Sequence, residues 1–389
     1  IVGLVGTVFV KGLTLANNFR LNNLQIIYGL PLAGLFLVFI YRKSGLKEDK
    51  GTNQIISTLH AQSSVPFRMM PLIFVATITT HLFGGSAGRE GAALQLGGSI
   101  GNKLGKCLKL NDADTRLMVM CGMSAAFSAI FGTPLAAVIF AIEVGSIGIM
   151  HYSALVPCAA SALIASAFAI NMGVHPEAFH ITEIATFSIS NALKTVLLAI
   201  ICALLSVIFC KMLHFVGHFL KDKFKNPYVR VIVASVVIIA LTLILNTHAY
   251  SGAGVNLIEE AFHGEVPKLS FFWKMLFTAI TLGAGFKGGE IVPTLFVGGT
   301  FGCFFGQLAG FSPSLCAACG MIALFSAVTN SPLASLVLGF ELFGFEGMPF
   351  YLLAVAIGYL ESGYYGLYKG QKVMYSKTQP EYINQRTKG

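Results

Sequence analysis

A chain of 389 residues with 55% hydrophobic and only 11% charged side chains, and a mean hydropathy of +0.75, is far from the roughly 25% charged residues of a soluble domain. That excludes a water-soluble globule and implies a polytopic membrane protein embedded in the lipid bilayer. The net charge of +9 does not point to nucleic acid, because the basic residues sit in short connectors at 42–50, 103–109, 221–230 and 369–388, as positive-inside loops do.

In chain order, apolar runs predict helices over 1–16, 24–41, 66–83, 92–106, 116–131, 134–150, 152–172, 191–217, 229–246, 270–284, 293–310, 315–329, 332–344 and 350–368. Several are shorter than the about 20 residues that a crossing needs, and they end at Gly or Pro rather than at charged loops. Such segments in matching places of two halves point to broken helices meeting at the midplane. Residues 173–190, with His175, Pro176, Glu177 and Glu183, form the most polar connector between the halves. No signal peptide is visible, and the opening inside an apolar run without Met points to a missing N-terminal piece. The eight cysteines lie almost all in apolar runs. Cys316 and Cys319 have neither a second pair nor a His cluster beside them, so buried thiols are expected rather than zinc, and no cofactor is implied.

The halves echo each other. Gly84-Gly85-Ser86-Ala87-Gly88-Arg89-Glu90-Gly91 feeds a run in which Leu94, Gly97, Gly98 and Gly101 recur as Leu295, Gly298, Gly299 and Gly302 after Gly288-Gly289-Glu290-Ile291-Val292-Pro293. Upstream, Gly51-Thr52-Asn53-Gln54-Ile55 with His60 matches Gly254-Val255-Asn256-Leu257-Ile258 with His263; downstream, 122–129 matches 320–327 and continues through Pro134 and Pro332 to Glu143 and Glu341. The chain is therefore read as two copies of one unit. The first Gly-x-Asn follows Arg42, Lys43, Lys47 and Lys50, whereas its echo follows 246–253, which has no Lys or Arg. Equivalent loops then lie on opposite sides, and the repeat is inverted.

Glycine ahead of a broken helix leaves backbone N–H groups and a positive dipole end that bind anions; the competing reading makes these glycines close-packing points between helices. Glu90 at a helix start is costly in lipid unless protonated, paired or in a watery path. A carboxylate there competes with an external anion for the same donors, and protonation releases it, so one residue can gate the anion and carry H⁺. Its plain alternative is a structural pair with Arg89. Glu290 either lines the same path or pairs with Lys287, and Glu143 and Glu341 fit helix-end capping better than a relay. Gly84-x-Ser86-x-Gly88 with His81 nearby satisfies a serine-hydrolase pattern, yet a nucleophile elbow follows a strand and this turn follows a helix-length run. An intramembrane serine hydrolase is kept only as the alternative of another class, and the chain is not expected to be an enzyme.

These residues resemble the CLC family of chloride channels and proton-coupled antiporters, whose filter reads G-S-G-I-P, G-R-E-G-P and G-I-F-A-P with a tyrosine on the last helix. The resemblance runs from residue 1 to about 370 and implies an all-α polytopic CLC-type fold, an inverted-topology repeat of broken and full-length helices spanning approximately 1–175 and 190–370, with a short cytoplasmic tail at 370–389. It makes Glu90 the gating and proton-carrying residue, and Leu367-Tyr368 the counterpart of the last-helix tyrosine. Thr52 and Asn53 replace Ser and Gly of the first filter segment, Glu290 brings a carboxylate to the third, and Val144 stands where chloride exchangers carry an inner proton-relay glutamate. Together these departures resemble the fluoride-exporting branch, although Val292 differs from members with a Thr hydroxyl there.

The resemblance implies anion binding by Gly51, Thr52, Asn53, Gly88, Arg89, Gly91, Glu290, Ile291, Val292 and Tyr368. It also implies a homodimer in the cell inner membrane that exports fluoride in exchange for protons. The same-family alternatives are a chloride/proton exchanger and a passive chloride/fluoride channel. Fluoride is small and strongly hydrated, so a site that strips its water must return strong donors; Thr52, Asn53, Tyr368 and a protonated Glu90 offer them.

Overall fold

Stop and start signals written twice in the sequence set the helix boundaries. The computed structural model describes residues 1–46, 51–60 and 65–388; Lys47 and Lys50 of the first basic connector lie outside the described residues. The first half holds α1 (Val2–Asn22), α2 (Leu30–Lys43) entered through a 3-10 turn at Leu24–Gly29, α3 (Thr52–Leu59), α4 (Met69–Leu82), α5 (Glu90–Cys107), α6 (Asp112–Phe131), α7 (Pro134–Glu143) and α8 (Leu155–Asn171). The second holds α9 (Ile189–Lys223), α10 (Pro227–Ile244), α11 (Val255–Phe262), α12 (Ser270–Ala284), α13 (Ile291–Ala309), α14 (Pro313–Thr329), α15 (Pro332–Phe343) and α16 (Met348–Glu361). Among the described residues six stretches are long and apolar enough to cross a bilayer, and shorter apolar helices fill the space between them. The protein is a multi-pass membrane protein.

The same device ends a helix in each copy. The α6 helix starts on the Asn111 side chain, which accepts from the Asp114 N–H, and stops at Gly132 with a left-handed φ of 74°. Its counterpart α14 starts on Ser312, which accepts from the Leu315 N–H, and stops at Asn330 with φ 54°. Two residues later a proline opens α7 or α15, where its missing N–H is not needed. Backbones also cross at matching glycines: a Cβ on Gly97 would run into the Gly122 carbonyl, and one on Gly298 into the Gly320 carbonyl. No larger residue fits either crossing, so Gly97 and Gly298, inside α5 and α13, are close-packing points.

Glu143 and Glu341 tie the halves together. The Glu143 carboxylate accepts from the N–H groups of Leu333 and Ala334 at the start of α15, at 3.1 and 2.8 Å. Glu341 accepts from Leu135 and Ala136 at the start of α7, at 2.9 and 2.8 Å. Each acid caps the other copy's helix, satisfying donors that a helix start leaves open.

Several boundaries differ from the sequence reading. Helices α3 and α11 are two-turn pieces that no apolar run of span length marks. The run predicted as 134–150 ends at Glu143, because the chain then turns out to pair Ser146–Ile147 (β1) in parallel with Lys372–Tyr375 (β2), which in turn pairs antiparallel with Tyr382–Arg386 (β3). The run predicted as 350–368 stops at Glu361, so Tyr368 is not on the last helix. Gly363 takes a left-handed φ of 57°, and the segment beyond it is held by other partners: Asn330 Nδ2 donates to the Tyr365 carbonyl at 3.0 Å and the Gly366 N–H donates to the Lys388 carbonyl at 3.0 Å.

Candidate functional site

The loops ahead of α5 and α13 meet back to back. Gly88 and Gly289 form an antiparallel bridge, each N–H donating to the other's carbonyl at 2.7 Å. Side chains are barred there: a Cβ on Gly289 would stand 2.5 Å from the Gly91 nitrogen, and one on Gly91 would stand 2.9 Å from the Gly289 Cα. Gly88 thus shapes the junction, and its amide is spent on Gly289 rather than turned to an ion.

Next to this junction lies Glu90, the first residue of α5 and fully buried. Its Oε2 accepts from the Arg89 N–H at 3.0 Å and from the Val292 N–H at 3.2 Å. Val292 is the second residue of α13, so the carboxylate of one half sits on the helix start of the other, in the place where amide donors and dipole favour an anion. The other oxygen, Oε1, lies 3.5 Å from Arg89 Nε and has no hydrogen-bond partner among the described residues. Arg89 is shared: its Nη2 also pairs with Glu177, and its guanidinium lies over the Phe131 ring. Glu177 comes from the polar connector, which folds back so that its N–H donates to the Phe131 carbonyl at 3.2 Å. The structural-pair reading and the pathway reading of Glu90 therefore meet in one geometry: the Arg89 guanidinium stands against Oε1, while the amides of Arg89 and Val292 hold Oε2.

A second cluster forms where α3 enters. Gly51 caps that helix with φ 57°. Buried Thr52 donates to the Gly91 carbonyl at 3.3 Å and receives Gln95 Nε2 at 3.4 Å; Gln95 also donates to the Gly91 carbonyl at 3.1 Å. A Cβ on Gly91 would lie 3.1 Å from the Thr52 hydroxyl and 3.4 Å from Glu290 Oε2, so Gly91 is the point at which Thr52, Glu290 and the Glu90 helix converge. Ile291 is fully buried as the first residue of α13. Asn53 is placed differently from a free ligand, since its Oδ1 accepts from the Gly370 N–H at 3.0 Å and so pins the chain just after Tyr368. Tyr368 is 1% exposed, and its hydroxyl has no hydrogen-bond partner among the described residues.

Four buried polar atoms in this region have no hydrogen-bond partner among the described residues: Glu90 Oε1, Glu290 Oε2, Gln95 Oε1 and the Tyr368 hydroxyl. Buried polar groups are nearly always satisfied, so this set stands out in the packed interior. Gln95 was not singled out from the sequence, and Glu177 was named there only as part of the polar connector 173–190, with no link to Arg89. The signal for Gln95 was a lone amide in the glycine-spaced run, one helical turn after Gly91. Val144 is fully buried and carries no titratable group; its carbonyl accepts from Gln371 Nε2 at 2.9 Å. The hydrolase alternative finds no support in the contacts, since the Ser86 hydroxyl meets Thr278 at 3.0 Å while His81 Nε2 faces the Gly88 carbonyl at 3.3 Å.

Residues 33–363 match the voltage-gated chloride channel family. The chain belongs to the CLC family. This CLC protein is 34% identical over 384 residues to a chloride/fluoride channel protein of Pseudomonas syringae pv. tomato, covering 97% of this chain and 85% of that one. It superposes with a TM-score of 0.92 on a crystal structure of a CLC-type fluoride/proton antiporter, at 32% identity over 96% of this chain and 95% of the other. A slow cyanobacterial Cl⁻/H⁺ antiporter shares the fold at a TM-score of 0.80 and 19% identity, covering 93% and 91% of the two chains. The CLC fold explains why short helices are tolerated at membrane depth: their open ends are buried against protein, not lipid.

Proposed function

We propose that this CLC protein exports fluoride in exchange for protons, with Glu90 as the gate and proton carrier. The observation that carries the reading is the Glu90 carboxylate seated on the Val292 N–H at the start of α13. A carboxylate there and a permeating anion need the same donor, so they exclude each other. Protonation weakens the carboxylate as an acceptor and frees it to leave; the anion then takes the helix start, and deprotonation from the other side returns the acid. One anion and one proton pathway thus share a stopper.

Thr52, Asn53, the amides of Ile291 and Val292, and the Tyr368 hydroxyl form the proposed anion route, with Gly51, Gly88 and Gly91 keeping side chains out of it and Arg89 holding the loop in register. Since position 144 is Val, no acid follows Glu143 to take the proton inward. Glu90 must swing further, and Glu290, whose Oε2 is buried without a hydrogen-bond partner among the described residues, is proposed as its helper. Likeness to a fluoride/proton antiporter and to a chloride/fluoride channel protein supports this branch of the family. We further propose a homodimer with one pathway per subunit, placed in the cell inner membrane with the tail from residue 370 cytoplasmic.

The test is flux from liposomes containing the purified protein, read at once with fluoride and chloride electrodes and a pH probe. A fluoride gradient should drive protons against their own gradient. Chloride-driven proton movement of equal size would give the chloride/proton exchanger reading, and anion flux without protons the passive channel.

A further inference from the structure

The turn that carries Tyr368 is held from outside the last helix, which stops at Glu361. Its anchor is Gln371, whose amide side chain is fully buried. Gln371 Nε2 donates to the Val144 carbonyl at 2.9 Å and to the Thr329 carbonyl at 2.8 Å, while its Oε1 accepts from Asn330 Nδ2 at 3.3 Å. Val144 closes α7 in the first half, and Thr329 is the last residue of α14 in the second. Helix ends leave their last carbonyls without intrahelical partners, so one carboxamide satisfies an open end from each copy. Both of its N–H groups and its oxygen are engaged, which fixes the side chain in one orientation.

The backbone beside Gln371 is tied as closely. The Tyr368 carbonyl accepts from the Gln371 N–H at 3.0 Å and from the buried Thr387 hydroxyl at 2.8 Å. Thr387 follows β3 directly, and its own N–H donates to the Gln371 carbonyl at 3.3 Å. One residue before Gln371, the Gly370 N–H donates to Asn53 Oδ1 at 3.0 Å, and a Cβ on Gly370 would stand 2.8 Å from the Asn53 carbonyl oxygen. On the other side of Tyr368, the Leu367 N–H donates to the Val328 carbonyl at 2.9 Å. Groups from α3, α7, α14 and the tail thus converge on the turn 367–371. A segment that merely ended the last helix would need neither a buried amide spanning both halves nor a tail hydroxyl returned to the Tyr368 carbonyl.

We propose that Gln371, backed by Thr387, is a positioning residue for the anion route: it fixes the Tyr368 turn against both halves and so sets where the Tyr368 hydroxyl stands, which decides how far a small anion is favoured over a larger one. This inference rests on the reading of the protein as an anion transporter with Tyr368 on its route. A small, strongly hydrated ion is held only by donors kept within about 0.5 Å of their place. The test is fluoride and chloride flux from liposomes as a function of concentration for Gln371→Met, Thr387→Val and Thr387→Ser, with Gln371→Met repeated in a Tyr368→Phe background. Gln371→Met, similar in length but without donors, should raise the half-saturating fluoride concentration about tenfold, lower the fluoride-to-chloride flux ratio, and leave the maximal flux largely unchanged. Thr387→Val should act in the same direction but less, and Thr387→Ser, which keeps the hydroxyl, should stay close to the native protein. In the Tyr368→Phe background Gln371→Met should add little, because the hydroxyl that it positions is gone. An unchanged half-saturation and flux ratio in folded Gln371→Met, a Thr387→Ser that behaves like Thr387→Val, or a full-sized effect without the Tyr368 hydroxyl overturns the positioning role while leaving transport itself standing. Should Gln371→Met fail to elute as a folded species, the two Thr387 variants decide by the same criterion. If the native protein moves no anion at all, the functional reading falls and this inference with it.

Discussion

The two halves agree in backbone and disagree in chemistry. Gly88 bridges Gly289, Glu143 and Glu341 cap each other's helices, and Gly97–Gly122 repeats as Gly298–Gly320. Yet the first copy carries Thr52, Arg89 and Glu90 where the second carries Val255, Glu290 and Ile291. Matched backbone is what makes two helix starts face one point. On the proposed function, mismatched side chains give the path a direction, since a fully symmetric route would offer the same gate from both sides. Where an element serves packing, symmetry is kept; where the proposed anion route runs, symmetry is broken.

The largest effect expected from breaking this comparison is at Glu90. Glu90→Gln should keep the hydrogen-bonding shape but remove the titration, so fluoride-driven proton movement falls to the level of protein-free liposomes while anion flux persists. Retained proton movement would reassign the carrier. Next come the matched crossings: Gly97→Val and Gly298→Val should each cost several kcal/mol, at or above the roughly 1–3 kcal/mol of ordinary overpacking, because the obstacle is a backbone carbonyl. Loss of folded protein on gel filtration should be alike for both, and a large difference would show that the copies do not share packing. At the broken positions, Glu290→Gln should reduce proton movement more than fluoride flux. If it leaves fluoride-driven proton movement intact, the helper role is wrong.

A smaller change is expected at Gln95. Gln95→Leu loses bonds to Thr52 and Gly91, about 1 kcal/mol of stability for each, read as a lowered melting temperature in detergent together with slower fluoride flux. The smallest effect should come from Glu143→Gln and Glu341→Gln. Each keeps one acceptor oxygen but loses charge on a helix start, a loss of about 1 kcal/mol, read as equal shifts in thermal unfolding. Unequal shifts would mean that one of the two acids does more than cap.

The repeat, its inverted sense and the glycine loops were legible because they rest on local rules: apolar run length, helix stops at Gly and Pro, and basic residues gathered in alternate loops. Glu90 was legible for the same reason, as an acid at a helix start inside apolar sequence. Tyr368 could be named but not placed, since the turn after Glu361 depends on Gly363 and on distant partners at Asn330 and Lys388. Helices α3 and α11 escaped because two turns leave no periodic signal of span length.

What the sequence settled by itself is the membrane class, the two copies and the side chains that break their symmetry, all properties of composition and order along the chain. Only the tertiary structure decided that the Glu90 carboxylate rests on the Val292 amide, that Glu177 returns to Arg89, that Gln95 joins Thr52, and that Gln371 reaches both Val144 and Thr329. Each of these joins residues distant in sequence, and nothing local encodes such a pairing: it follows from how the packed helices bring their ends together.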